Sequence, residues 1–346
     1  MGESIIFIKI LKLKRIIIVL IVVAIVFSFS IISPKVLTVT KTKNSEPKRI
    51  TWVDFGISYE ALSDTLEIDI SSYNKETKYD WIELLAYLGT KYGGDFKKYK
   101  KSDLIKLISE CEKGQEVRKL AKNTQNYDYY YEAYNAVLGG FVGEYEVETD
   151  EKDEMGRKIT QMRYGLKVFS PIAKGYSFSH YDDFGSSRSY GFRRKHLGHD
   201  LMGGVGTPIV AIESGTVENV GWNQYGGWRI GIRSFDKKRY YYYAHLRKDN
   251  PYNDIYEGKT VKAGDVIGYL GMTGYSTKEN INNINTPHLH LGIELIFDEK
   301  FREEKYEIWI DLYAITKLLE KNKSIVFKEN NEYCRKYDIF IPETNE

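Results

Sequence analysis

In TPHLHLGIEL, residues 286–295, apolar and other residues alternate. In a β-strand side chains change face with every residue, so His288 and His290 project to one side. Leu289, Leu291, Ile293 and Leu295 project to the other. One face therefore belongs against a core, and the other carries two imidazoles that converge without special backbone geometry. Two further histidines complete an ordered pattern: His196 in HLGHD, residues 196–200, and His245 in YYYYAHL, residues 240–246. HLGHD sets a nitrogen and a carboxylate four positions apart, with Gly198 between them to let the chain bend tightly around an ion. Zinc takes imidazole nitrogen and carboxylate oxygen, and a catalytic site usually has three protein ligands plus a water. The ligands expected are His196, Asp200 and one of His288 and His290; the other, with His245, is left to move protons. HLH alone is a weak signal and HLGHD alone a moderate one, and it is their joint order that singles out a metal site. No Glu follows the first ligand as in H-E-x-x-H, which excludes the helix-borne arrangement.

The surrounding runs PIVAI (208–212), TVENV (216–220), WRIGI (228–232), RYYYYAHL (239–246) and VIGYL (266–270) are rich in β-branched and aromatic residues and punctuated by turn formers. They predict an antiparallel sheet with a groove. On RYYYYAHL strict alternation puts Tyr241, Tyr243 and His245 on one face, so the two tyrosines are expected to line the cleft beside the histidine, unless they are simply strand formers. His199 points away from Asp200 if the segment is extended and is read as a packing residue, not a fourth ligand. His180 is read as structural or exposed, and Arg188 as a candidate substrate contact.

Upstream the chain changes character. Ile16 to Ile32 is an uncharged apolar run led by Lys9, Lys12, Lys14 and Arg15. At 1.5 Å per residue it spans about 25 Å, short for a bilayer core of ~30 Å. Bulky Phe27, Phe29, Ile31 and Ile32 occupy the place where a cleaved signal would carry small residues, which favours an uncleaved signal-anchor at residues 16–33. Residues 1–15 precede it, and residues 34–56 are a polar linker. Residues 57–145 read as helical. Asp80 and Glu83 form a capping-box-like start to a stripe of Trp81, Leu84, Leu85, Leu88 and Tyr92, which Gly93-Gly94 ends. Leu104, Leu107, Ile108 and Cys111 repeat the spacing, as do Tyr130, Ala133, Tyr134, Val137 and Leu138. Glu83 is explained as a cap, which removes the best candidate for a glycosidase acid here. The module is assigned packing, targeting or binding of a protein partner. The two cysteines form no metal-binding pattern and are not expected to pair. EIWIDLYAITKLLEKN, residues 307–322, reads as a strand-to-helix closing segment within a C-terminal stretch, 301–346.

From about Val168 to Phe297 the sequence resembles the LytM-type, lysostaphin-like (M23) zinc metallopeptidases, which cut peptide bonds in bacterial peptidoglycan. The resemblance rests on HLGHD, the HLH pair, GTPIVAIESGTV (206–217), GGWRIGI (226–232) and VKAGDVIGYLGMTGYS (261–276). It implies one Zn2+ per chain held by His196, Asp200 and His290, with His245 and His288 as the catalytic pair. It also implies a peptidase domain at residues 146–300. The reaction implied is hydrolysis of peptidoglycan peptides through a metal-activated water, whose pKa zinc lowers towards ~7. The two free imidazoles, ordinarily titrating near ~6.5, would take its proton or support the oxyanion. A membrane anchor and short helical module ahead of such a domain is similar to membrane-anchored LytM proteins of Gram-positive, clostridium-like bacteria. The expectation is thus an α+β chain, single-pass in the cell membrane, with residues 1–15 cytoplasmic and the C-terminal domains extracellular. The alternative is a catalytically silent or autoinhibited LytM scaffold that binds cell wall or a partner protein in division or sporulation. The formal net charge of +2, with Lys and Glu interspersed, argues against nucleic acid as a partner.

Overall fold

The computed structural model describes residues 55–190, 192–297 and 307–341, all of which fall within one compact unit. The signal-anchor expected at 16–33 and most of the linker lie outside the described residues. Among those described, no helix is long and apolar enough to cross a membrane. The architecture is helices followed by antiparallel sheet, as expected for an α+β chain.

Five helices open it: α1 (Tyr59–Ser72), α2 (Trp81–Tyr92), α3 (Lys101–Glu112), the single turn α4 (Val117–Leu120) and α5 (Tyr127–Leu138). Helix α2 begins where the Asp80 carboxylate accepts from the backbone N–H groups of Ile82 and Glu83, at 2.7 and 3.1 Å, satisfying donors that the first turn leaves unpaired. It stops at Gly93 in the left-handed conformation, φ 63°. The buried residues of α2, α3 and α5 include the stripes read from the sequence, except Ile108 and Tyr130, which are half-buried against the same core. Cys111 on α3 and Cys334 are both free thiols.

The strands are β1 (Val142–Lys152), β2 (Lys158–Leu166), β3 (Phe178–Tyr181), β4 (Ser187–Tyr190), β5 (Phe192–Lys195), β6 (His199–Gly203), β7 (Pro208–Val210), β8 (Gly215–Asn223), β9 (Gly227–Ser234), β10 (Arg239–Ala244), β11 (Thr260–Val261), β12 (Val266–Tyr269) and β13 (His288–Leu295). After them come β14 (Ile308–Trp309), the helix α6 (Tyr313–Leu319), β15 (Val326–Glu329), β16 (Glu332–Arg335) and β17 (Ile339–Phe340). The main sheet runs β11-β8-β9-β10-β13-β6-β3, with β14 pairing the far end of β13. The hairpin β1–β2 forms a separate sheet with β17. It is largely exposed, with Met155, Ile159 and Met162 open to solvent, so it lacks the half-buried alternation that would have announced it in the sequence.

A single apolar cluster runs from the helices into the sheet, from Leu62, Leu85 and Tyr134 to Tyr243, Leu291 and Ile315. Arg239 on β10 crosses this junction. Its side chain is 1% exposed, its Nη1 donates to Ala136 O of α5 at 3.0 Å, and its Nε and Nη2 each donate to the Glu213 carboxylate at 2.9 Å. Tyr241 donates to the same carboxylate at 2.5 Å. Burial opposes the charge on Arg239, but Glu213 outweighs it and holds the guanidinium protonated. Arg239 Nη2 also donates to Asp236 at 2.9 Å, so loss of Glu213 leaves the guanidinium one carboxylate, and the cost is that of the charged hydrogen bonds removed, about 1.5–3 kcal/mol. Glu213→Ala should lower the unfolding free energy by that amount in denaturant titration; a loss under about 1 kcal/mol, the scale of an exposed pair, would mean that the pair does not brace helix to sheet.

Candidate functional site

Strand β13 lies between β10 and β6, and its alternation is as read: Leu289, Leu291 and Ile293 are fully buried on one face. On the other face His290 stands opposite Asp200 of β6 and Ala244 of β10. His196 arrives from the turn between β5 and β6. The three expected ligands converge: His196 Nε2 is 2.9 Å from His290 Nδ1 and 3.1 Å from Asp200 Oδ1, and the last two are 3.0 Å apart. Tetrahedral zinc bonds near ~2.05 Å would hold such atoms about 3.3 Å apart, so the donor set fits a first-row divalent cation with a small expansion. They are the residues among those described that could hold a metal ion together.

Protonation favours the same use. Burial opposes ionisation of Asp200, but hydrogen bonds from His196 and His290 overcome it and keep the carboxyl well below its usual range. Burial lowers the pKa of His290 despite the pull of Asp200. An ionised carboxylate beside a neutral imidazole is the state a metal requires. The other nitrogen of His196 lies 2.8 Å from Asp183 Oδ1, close enough for an ion pair but out of line for a hydrogen bond. Arg188 bridges Asp183 and the second oxygen of Asp200, the latter at 3.2 Å. The candidate substrate contact is therefore engaged by the carboxylates of Asp200 and Asp183.

His245 and His288 stand beside this cluster with ring centres 4.8 Å apart. His245 Nδ1 is 2.9 Å from Thr273 O, and His288 Nδ1 is 2.8 Å from Thr286 O. A carbonyl only accepts, so both Nδ1 atoms carry a proton, which leaves Nε2 as the nitrogen through which either ring can exchange one. His288 Nε2 is 3.7 Å from Asp200 Oδ2. Burial, then repulsion from His288 and His290, drives the pKa of His245 well below the ordinary imidazole value.

One expectation is overturned. Tyr241 and Tyr243 do not line the cleft; both are fully buried on the opposite face, donating to Glu213 and accepting from the Ile212 N–H respectively. Tyr240 and Tyr242 line it instead. The cause is at His245, which has φ 61°. Strand β10 ends at Ala244, and the left-handed residue breaks the alternation, turning the imidazole to the face that Tyr242 and His290 share. Gly274 enforces this: with φ 124°, it packs where a Cβ would lie 2.5 Å from Tyr225 O and 3.0 Å from His245 Nδ1. GGWRIGI and GMTGYS thus meet around one histidine. Gly198 also acts differently from the expected bend: a Cβ there would sit 2.5 Å from His290 Cε1 and 2.7 Å from Leu291 O, so what it supplies is room.

His199 is buried and faces away from the cluster, 2.8 Å from His180, which reaches Glu320 of the closing segment at 2.9 Å. Burial, then His180, brings the pKa of His199 down to about 4. Asp183 and Arg194 carried no spacing signal, since they reach the site only through the pairing of β3 and β5 with their neighbours. The cleft has a volume of about 680 Å³ and takes in all five sequence-selected residues.

Residues 194–301 match the model of peptidase family M23. Over 123 residues the chain is 39% identical to the L-Ala–D-Glu endopeptidase of Bacillus subtilis, covering 36% of each protein. It is 42% identical over 96 residues to lysostaphin of Staphylococcus simulans, covering 28% of this chain and 17% of that one. The peptidoglycan DD-endopeptidase ShyC of Vibrio cholerae is 35% identical over 100 residues, 28% of this chain and 19% of its own. The chain thus spans about a third or less of the length of these curated relatives. The catalytic domain of lysostaphin from S. simulans, as a solved structure, aligns over 40% of this chain and 92% of its own at 30% identity, with TM-score 0.31. Residues 194–301 are thus similar to family M23, and the relatives so matched are named an L-Ala–D-Glu endopeptidase, lysostaphin and a peptidoglycan DD-endopeptidase.

Gly198→Ala should weaken metal binding by at least about tenfold, because the methyl must displace His290 or the β13 backbone. Calorimetric titration of the metal-stripped protein with Zn2+ measures this; unchanged affinity would place the origin of the ligand geometry elsewhere.

Proposed function

We propose that the M23 domain is a zinc-dependent endopeptidase that hydrolyses peptide bonds of peptidoglycan, working outside the cell membrane to which residues 16–33 anchor it. The observation that carries the reading is the convergence of His196 Nε2, Asp200 Oδ1 and His290 Nδ1 within 3.1 Å of one another, beside two imidazoles that can each exchange a proton through Nε2. His196, Asp200 and His290 would hold Zn2+, one per chain, which supplies Lewis-acid polarisation of the scissile carbonyl and acidifies a water.

The remaining work falls to the chain. Thr273 O and Thr286 O fix the tautomers of His245 and His288, so neither ring has to reorient before it acts. One Nε2 takes a proton from the attacking water as its oxygen bonds to the carbonyl carbon, and that proton passes to the leaving nitrogen as the C–N bond breaks. The other ring, when protonated, donates to the developing oxyanion. Burial of His245 keeps it neutral at physiological pH, ready to accept.

The test separates binding from turnover. His290→Ala and Asp200→Ala should lose both stoichiometric zinc and activity, whereas His288→Ala and His245→Ala should keep most of the zinc and lose about 10²–10⁴-fold in rate. Metal content and mass spectrometry of fragments released from purified peptidoglycan give the readouts. Retained zinc in Asp200→Ala would overturn the ligand assignment, and new peptide termini from His288→Ala its catalytic role. No release by the unmutated zinc-loaded protein would move the reading to the silent scaffold. For the anchor, membrane fractionation should find the intact mass with membranes; a soluble product shorter by about thirty residues would mean a cleaved signal instead.

A further inference from the structure

Besides Arg188, which Asp183 and Asp200 hold, and Lys195, the cleft is lined by two further guanidinium groups, and we propose that Arg229 and Arg194 form an anion subsite for a free carboxylate of the substrate peptide close to the scissile bond. This rests on the peptidase reading above and names its substrate class: an acidic peptide in preference to a neutral oligoglycine.

The sheet register positions Arg229. Ile230 of β9 pairs with Tyr243 of β10, which brings Arg229 beside Ala244, and Ala244 stands opposite His290. On its other side Arg229 pairs with Gly221. Ile230 is buried behind the sheet, so alternation sends Arg229 to the cleft, which it lines. Two strand spacings separate it from β13, about 10 Å, and the residue between them on that row bears only a methyl group. A peptide whose carbonyl sits at the histidine cluster places the side chain or main-chain carboxylate of a neighbouring residue within that distance.

Arg194 approaches from β5. Its guanidinium lies 5.1 Å from the Tyr225 ring centre and 5.0 Å from that of Tyr275, and its Nη2 donates to the Tyr275 hydroxyl. The Tyr275 ring is itself 5.9 Å from that of His245. Arg194 is thus fixed between two aromatic faces next to the reacting centre, which reduces the ordering cost of binding an anion.

Both arginines are charged at any working pH, and in both the Nε–H is buried without a hydrogen-bond partner. The Tyr242 hydroxyl, which accepts from Asn223 at 3.1 Å, lines the same cleft as both arginines; the Tyr242 ring is 6.0 Å from that of His290. The acids of the lining are otherwise occupied or remote. Asp200 is held by the histidines and Arg188. Glu307 accepts from Trp309 Nε1 at 2.8 Å. Glu294 is four residues along β13 from His290, about 14 Å away. A ligand carboxylate is the group that answers two guanidinium groups lining one cleft.

The experiment uses the full-length, zinc-loaded protein and two synthetic peptides, L-Ala–γ-D-Glu–L-Lys with a free D-Glu carboxylate and the same peptide with that group as a primary amide. Calorimetric Kd values and kcat/KM are measured for both, with pentaglycine as the neutral comparison. The acid form should be favoured over the amide by about tenfold or more. Arg229→Gln and Arg194→Gln should each bring that ratio towards one, with Arg229→Lys intermediate as a charge-retaining control for folding. Undetectable binding of the acid form, a ratio of one or below, or a ratio retained in both Gln variants would overturn the subsite. The binding ratio is readable without turnover: hydrolysis of neither peptide nor of whole peptidoglycan, with the ratio intact, would defeat the peptidase reading and leave the subsite standing.

Discussion

The site depends on the two-residue repeat of β13. Burying Leu289, Leu291 and Ile293 contributes roughly 1.5–3 kcal/mol each, and a slip of one residue would exchange that face for the one bearing His288 and His290. Register is therefore fixed by apolar burial, and the imidazoles are positioned as its by-product. Pairing on both sides extends the constraint: β6 sets Asp200 opposite His290, and β10 sets Ala244 there. The small residue leaves the floor of the cleft open, whereas the carboxylate joins His196 and His290 in a donor set that could hold a metal ion.

The other face of β10 ties the site to the helices. Arg239, Tyr241 and Tyr243 are all buried there, and the first two share Glu213. Because Arg239 also caps Ala136 O of α5, the helices brace the back of the strand that carries His245. A strand anchored on one face by a satisfied charge network and opened on the other by Ala244 can hold a cleft without collapsing into it.

The left-handed backbone of His245 costs on the order of 1–2 kcal/mol. It is held by the N–H of His245 donating to Gly226 O at 2.7 Å and by the contact of its ring with Thr273 O at 2.9 Å, both from segments that meet only in the folded chain. Without that turn, the alternation of β10 would carry the imidazole into the core and leave His288 without its neighbour. Strain at one residue thus brings together two motifs more than thirty positions apart in sequence.

Local chemistry was legible from the chain alone: the faces of HLHLGIEL, the Asp80 cap, the Gly93 stop and the buried helical stripes all follow from rules acting within a few residues. The order of His196, Asp200, His245, His288 and His290 in the chain singled them out, and the fold brings all five to one cleft. The exposed hairpin β1–β2 left no such mark, since a strand with little buried face has little pattern. Nor could sequence place Tyr240 and Tyr242 in the cleft or gather Arg194 and Arg229 around it. Strand parity holds only until a backbone angle changes sign, and the angle at His245 is set by glycines and carbonyls that the fold brings from elsewhere. Residue types determined what chemistry was available; the pairing of distant strands decided which of those groups meet.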